Sequence, residues 1–181
     1  MPDKRVHGSR IVRARLVTPA APLPAKLRSG SPALEVMTDL TDEAAHVVTP
    51  DQQIDLALND MIRYGVRLLL VARDSDVVGI ITSYDIMGER PIQFLEGTFG
   101  TGTTMRHSEI KVADIMTPLP ETYPLHFNWV RLATVGDIAA VFHEDRATHL
   151  LVLDHDGAGG HFAVRGIFSR TRLERHFGPL A

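Results

Sequence analysis

The chain has 181 residues, enough for one compact domain or two small repeats. Apolar residues make up 44% and charged residues 23%, which supports a packed core and excludes wholesale disorder, a collagen-like chain or a coiled coil throughout. The absence of cysteine excludes disulfides, thiolate catalysis and Cys-based metal sites. No apolar run reaches the roughly 18 residues of a membrane span. The N-terminus also lacks the apolar stretch of a secretion signal, so a cytoplasmic location is expected. The net charge of −3 gives no reason to expect a nucleic-acid partner. That charge is uneven, because residues 1–31 carry Lys4, Arg5, Arg10, Arg13, Arg15, Lys26 and Arg28 against Asp3 alone. Without interleaved aromatic residues, this basic leader reads as a solvated tail on an acidic body.

Segment 18–32 holds four prolines and no helical or strand period, so it reads as an extended linker. Beyond it come Ala33–Thr38, ending in Met37-Thr38, and then Thr49-Pro50-Asp51-Gln52. The latter has the pattern of a helix start, with a hydroxyl N-cap, proline at the first position and Gln at the third. Ile54, Ala57, Leu58, Met61 and Ile62 follow on one helical face, and Gly65 is placed to end that helix. Leu68–Val71 and Val77–Ile81 are near-continuous apolar runs, the mark of strands covered on both faces. The polar turn Arg73–Asp76 makes them an antiparallel hairpin, and a second helix is predicted from Thr82.

The order then repeats. Ala33–Thr38 resembles Val112–Thr117 at an offset of 79, and Ile54–Leu58 lies over Val135–Ala139 at 81. Arg67–Val71 lies over Thr148–Val152 at 81, and Val78–Thr82 over Arg165–Ser169 at 87. Four matches in one order mean two copies of a unit of about 60 residues, with insertions confined to loops. In the second copy Val135, Ile138, Ala139 and Phe142 form the helix stripe, and His149–Leu153 and Ala163–Phe168 the hairpin. A unit of this size buries only about 60% of its unfolded surface, so the two copies are expected to pack together across a pseudo-twofold. Paired clefts between them would then suit small ligands. Leu56 and Val141, off the stripes, suggest a further covered face consistent with dimerisation.

Taken together, Val36-Met37-Thr38, Asp114-Ile115-Met116-Thr117-Pro118, the helix-plus-hairpin bodies and Gly79-Ile80-Ile81-Thr82-Ser83-Tyr84-Asp85 resemble the CBS (cystathionine-β-synthase) domain. The doubled unit resembles a tandem CBS pair of the stand-alone bacterial type. The resemblance implies an α/β fold of the α+β kind, with two βαββα-like repeats at residues 32–92 and 111–178. A leader at 1–31 and a flexible linker at 93–110 complete the division. It further implies a non-enzymatic, regulatory module in which an adenosyl compound (AMP, ADP, ATP or S-adenosylmethionine) occupies the cleft. No cofactor is required, and the module acts as a homodimer on an unidentified protein, for example in energy sensing. The alternative is a CBS adaptor or structural dimer that binds no ligand.

Thr82 and Asp85 also invite a direct chemical reading. A hydroxyl at a helix start, beside amides without intrahelical partners, is a natural seat for phosphate. A carboxylate one turn later can accept hydrogen bonds from both ribose hydroxyls. Thr49, Arg67, Leu68, Leu69 and Ile81 complete the expected ligand site, the aliphatic residues sandwiching a base and Arg67 reaching a phosphate. The same Thr-x-x-Asp spacing also fits a capping box, and both readings stand at this point. The second copy departs from the pattern, because Arg172 stands where the diol-accepting Asp belongs, and arginine has only donors. His149, Ser169, Arg170 and Arg172 are therefore expected to form a degenerate second site that has lost its ligand or lends its arginines to phosphates held by the other cleft.

Other signals are discounted. Asp42-Glu43-Ala44-Ala45-His46 resembles a helicase box, but no phosphate-binding Gly-Lys loop accompanies it. The Gly-rich run 97–104 lacks a preceding strand and reads as the flexible connection. The nine histidines show no metal-ligand spacing, and no nucleophile–base set is evident. Trp129 is expected to plug the interior beneath the connection leading to the second stripe helix.

Overall fold

A computed structural model describes residues 27–98, 105–122, 124–145, 147–155 and 162–177. The basic part of the leader, most of the Gly-rich connection and the Gly-rich turn after His155 lie outside the described residues.

The first stripe forms α1 (Ile54–Tyr64), with Ile54, Ala57 and Met61 buried. It ends at Gly65, whose φ of 69° is the left-handed conformation that glycine adopts without steric cost. Two strands follow, β3 (Leu68–Arg73) and β4 (Asp76–Thr82), paired antiparallel, and then two helices, α2 (Ser83–Met87) and α3 (Arg90–Thr98). The expected flexible stretch thus begins as a helix that continues past residue 92. The second copy gives α6 (Val135–Asp145), β7 (His149–His155), β8 (Phe162–Ser169) and α7 (Arg170–Phe177), with β7 and β8 again antiparallel.

The short elements connect the halves. They are β1 (Thr38–Asp39), β2 (Val47–Val48), α4 (Val112–Ile115), β5 (Thr117–Pro118), β6 (Leu125–His126) and α5 (Phe127–Val130). One sheet has the order β2-β3-β4-β5 and the other β1-β8-β7-β6. Each Met-Thr head therefore pairs with the opposite repeat: Thr38 lies against Ile167 on β8, and Thr117 against Ile80 on β4. Core membership follows the exchange. Ala33, Val36 and Met37 pack with Ile138, Phe142 and Phe168, whereas Ile110, Val112 and Ile115 pack with Ile54, Met61 and Leu69. The crossing is close, and each receiving strand carries a glycine there. A Cβ on Gly79 would lie 2.5 Å from the Thr117 carbonyl oxygen, and one on Gly166 would lie 2.6 Å from the Met37 sulfur.

Strand alternation divides the apolar runs between two interiors. Leu69, Val71 and Ile81 face the first repeat's helices, while Leu68, Leu70 and Ile80 meet Leu151 between the two sheets. This is why the runs are continuous rather than alternating: both faces are covered.

Several local expectations are corrected. Thr49–Gln52 does not cap α1, which starts at Ile54 after Gln53 without a side-chain cap. That segment instead pairs with the incoming second head: the Ile54 amide donates to Ile110 O at 3.1 Å, Val112 N to Gln52 O at 2.8 Å, and Ala113 N to Pro50 O at 2.9 Å. The equivalent contact recurs at α6, where Val135 N donates to Ser31 O at 2.8 Å. Residues 27–31 are accordingly docked, with Leu27 packed against the second core. A Thr-x-x-Asp box does cap α6, where Thr134 N donates to Asp137 Oδ2 at 2.8 Å and Asp137 N to Thr134 Oγ1 at 3.2 Å. Trp129 is 42% exposed, because Val130 and Ala133 take the interior positions of that short turn. Val141 packs against the second core and so does not belong to a further face, whereas Leu56, exposed on the single chain, remains available to one.

Candidate functional site

Two cavities lie where the repeats meet, related as the repeats are. The smaller, of about 230 Å³, is lined by Thr82, Tyr84, Asp85 and Arg90 from the first repeat and by Thr117, Thr148 and His149 from the second. The larger, of about 300 Å³, is lined by Thr38, Glu43, His46, Arg67 and Leu68 on one side and by His149, Ser169, Arg172 and Arg175 on the other.

In the smaller cleft the hairpin delivers Thr82 to the start of α2. Its amide and hydroxyl both donate to Asp85 Oδ2, at 2.8 and 2.7 Å, while Asp85 N donates to Thr82 Oγ1 at 3.3 Å. The capping box is therefore formed in full. Ser83 N is also taken, by Arg67 O at 3.0 Å, so the helix start offers phosphate fewer free amides than its sequence suggested. Asp85 Oδ1 still faces the cleft, where Arg90 Nη1 approaches it at 3.1 Å. The same guanidinium nitrogen donates to Ile115 O at 2.8 Å and to Thr117 Oγ1 at 3.0 Å, tying the first repeat's acid to the second repeat's head. Asp85 is thus a cleft acceptor whose second oxygen is held by a half-exposed arginine, although the carboxylate itself is only 13% exposed.

The larger cavity has Arg172 at the position equivalent to Asp85. Arg172 Nη1 donates to Thr38 Oγ1 at 2.7 Å and lies 3.9 Å from Glu43 Oε1. Arg67 enters from the opposite wall and reaches the Tyr84 hydroxyl at 3.4 Å, across the partition between the cavities. His149 lines both cavities, with its Nδ1 3.1 Å from Thr148 Oγ1. Burial, aided by the nearby Arg67 charge, lowers its pKa from 6.5 to about 4, so the ring is neutral at pH 7.

The expected ligand residues are therefore divided. Thr82 and Asp85 stand in one cleft, and Arg67 and Leu68 in the other, beside His149, Ser169 and Arg172. Leu69 and Ile81 line neither, because strand alternation turns them into the first core, where both are fully buried. Thr49 is exposed in the turn before α1 and lines neither cavity. Arg170 turns inward: its Nε donates to Ala147 O at 3.0 Å, its Nη2 to Phe142 O, and its guanidinium lies 5.3 Å from the Phe142 ring centre. It closes the loop between α6 and β7 and is not available to a ligand. Reading the sequence alone missed Arg90, Thr38, Thr117 and Arg175. The repeated Met-Thr heads were a signal for the two threonines, whereas Arg90 carries no local pattern. Among the described residues no group of three metal-ligating side chains occurs. No described helix is long and apolar enough to cross a membrane.

Fold and clefts together define a duplicated α+β module with exchanged heads and paired inter-repeat cavities. Residues 35–91 match the family model of the CBS domain, and the chain has the fold of solved CBS-pair structures. No curated protein matches its sequence. Among solved structures, it is similar to the CBS-pair protein CBSX2 from Arabidopsis thaliana, at 25% identity over 81% of this chain and 93% of that one, with a TM-score of 0.53. CBSX2 in complex with AMP matches at 25% identity over 81% and 95%, with a TM-score of 0.55. The CBS-domain-containing protein ATU1752 from Agrobacterium tumefaciens has the same fold, at 18% identity over 76% and 88%, with a TM-score of 0.54.

Proposed function

We propose that this CBS pair is a regulatory sensor that takes an adenosyl ligand (AMP, ADP, ATP or S-adenosylmethionine) into the Asp85 cleft. The observation that carries the reading is the Asp85 Oδ1 atom, a carboxylate oxygen facing an inter-repeat cleft with only an exposed arginine to displace. The AMP complex of CBSX2, a protein of the same fold, supports the ligand class. A ribose diol donating to Asp85 takes the place of Arg90, whose guanidinium is then free to turn toward a phosphate. Because Arg90 also holds Thr117, its release loosens one tie between the repeats, and a ligand favouring that arrangement shifts the population toward it. In this reading the module works as a cytoplasmic homodimer that modulates a partner protein and has no catalysis of its own. The exposed Ile62, Met87 and Ile92 supply apolar surface for such an assembly.

One observation favours the alternative of a ligand-free adaptor: both oxygens of Asp85 are already engaged by the chain's own groups. Thermal unfolding with and without each ligand separates the two. At 100 times its dissociation constant a ligand adds about 2.7 kcal/mol, which raises Tm by roughly 5–10 °C in a chain of this size. Asp85→Ala should abolish that rise. A flat response across the whole panel would leave the adaptor as the function.

A further inference from the structure

We infer that the larger cavity is a separate anion site, which takes a compact phosphate chain, a diphosphate or longer, on arginine charge alone. Three guanidinium groups line it from two directions: Arg67 from the first repeat, and Arg172 and Arg175 one turn apart on α7. Glu43 is the single acidic residue on the described walls. It is well exposed and pairs loosely with Arg172 at 3.9 Å, and one carboxylate against three guanidinium groups leaves a surplus of positive charge.

The arginines are differently committed. Arg172 is anchored to Thr38 through one terminal nitrogen, which fixes its planar fork and leaves its other donors for a ligand. Arg175 has no hydrogen bond or ion pair among the described residues. Arg67 spends one nitrogen on the long contact to Tyr84. His149, which lines the same cavity, adds no charge, because it is neutral at pH 7. A fork of fixed guanidinium donors suits bidentate phosphate contacts.

The same geometry excludes a ribose-led mode. The position that would accept from a diol holds Arg172, which has donors only. Recognition here must therefore follow the charge of the phosphate chain and not the nucleoside. The loss of ligand expected for this half of the molecule is replaced by a change of ligand.

The test is calorimetric titration of the full chain with inorganic pyrophosphate and tripolyphosphate, with adenosine as the uncharged control and ATP as the competitor. Pyrophosphate should bind once per chain, tripolyphosphate more tightly, and adenosine should neither bind this site nor displace them. Arg172→Gln and Arg175→Gln should each weaken pyrophosphate on the order of tenfold, whereas Arg73→Gln, on the exposed hairpin turn, should not. Arg175→Gln guards against a folding artefact, because that side chain has no structural partner among the described residues. Displacement of pyrophosphate by ATP would identify a nucleotide tail as the source of the phosphate chain, and no displacement would identify a free polyphosphate. Absence of pyrophosphate binding, or binding that both cavity variants leave intact, would overturn the inference. Failure of adenosyl ligands at Asp85 would not touch it.

Discussion

His149 should make the stability of this protein fall steeply in mildly acidic solution. Its ring forms part of both cavity walls, and burial together with Arg67 lowers its pKa from 6.5 to about 4. The unfolded chain takes up the proton near pH 6.5 and the folded chain only near pH 4, so within that window the unfolded state binds more protons. The neutral ring's contribution is therefore complete above about pH 6.5, is lost as the pH falls, and changes no further below about pH 4. Each pH unit inside the window costs about 1.4 kcal/mol. The whole interval would then approach about 3 kcal/mol, and roughly 2–3 kcal/mol is expected because the ring keeps some solvent through the two cavities. Denaturant unfolding of the wild type and of His149→Gln, repeated from pH 7 to pH 4, isolates this group, since the carboxylates titrate alike in both. The difference in stability should shift in favour of the variant by that amount across the window. Parallel pH profiles, or an NMR titration midpoint for His149 near 6.5, would refute the reasoning.

Two other perturbations test the exchange of heads and the arginine at the Asp85 cleft. Gly79→Ala places a methyl group against the Thr117 backbone and should cost about 1–3 kcal/mol in denaturant unfolding. Gly166→Ala meets the Met37 side chain at Sδ, Cγ and Cε instead of backbone, and because a side chain can repack where backbone cannot it should cost less; equal losses would contradict the asymmetry of the two crossings. Arg90→Ala releases Asp85 Oδ1 and Thr117 and should cost about 1–2 kcal/mol, because the arginine is half exposed while Asp85 is only 13% exposed and the Ile115 carbonyl also loses its donor. It should tighten the binding of adenosine, which has no phosphate to gain from the arginine. Unchanged or weaker adenosine binding would show that Arg90 does not stand in the ligand's place.

Much of the architecture was legible because hydrophobic spacing is a local property. The stripe Ile54, Ala57, Met61 and its counterpart Val135, Ile138, Phe142 produce the two long helices, and the paired apolar runs produce the hairpins. Thr82 was likewise readable as a helix start, and Asp85 as its partner one turn later. Signals that depended on a distant segment misled. Thr49–Gln52 has the composition of a cap, yet the carbonyls of that stretch are used by the incoming head at residues 112–113. Arg170 looked like a cavity arginine until β7 and α6 brought the Ala147 and Phe142 carbonyls to it.

Sequence alone determined that there are two equivalent units, what each contains, and where a carboxylate in the first becomes a guanidinium in the second. Periodicity, turn residues and side-chain chemistry act over a few neighbours, and the repeat supplies its own control. The tertiary structure decided which strand each Met-Thr head joins, which cavity each polar residue enters, and whether a charge is free or spent. Those outcomes depend on groups up to 134 residues apart, as Arg172 and Thr38 are, and no local pattern encodes so distant a partner.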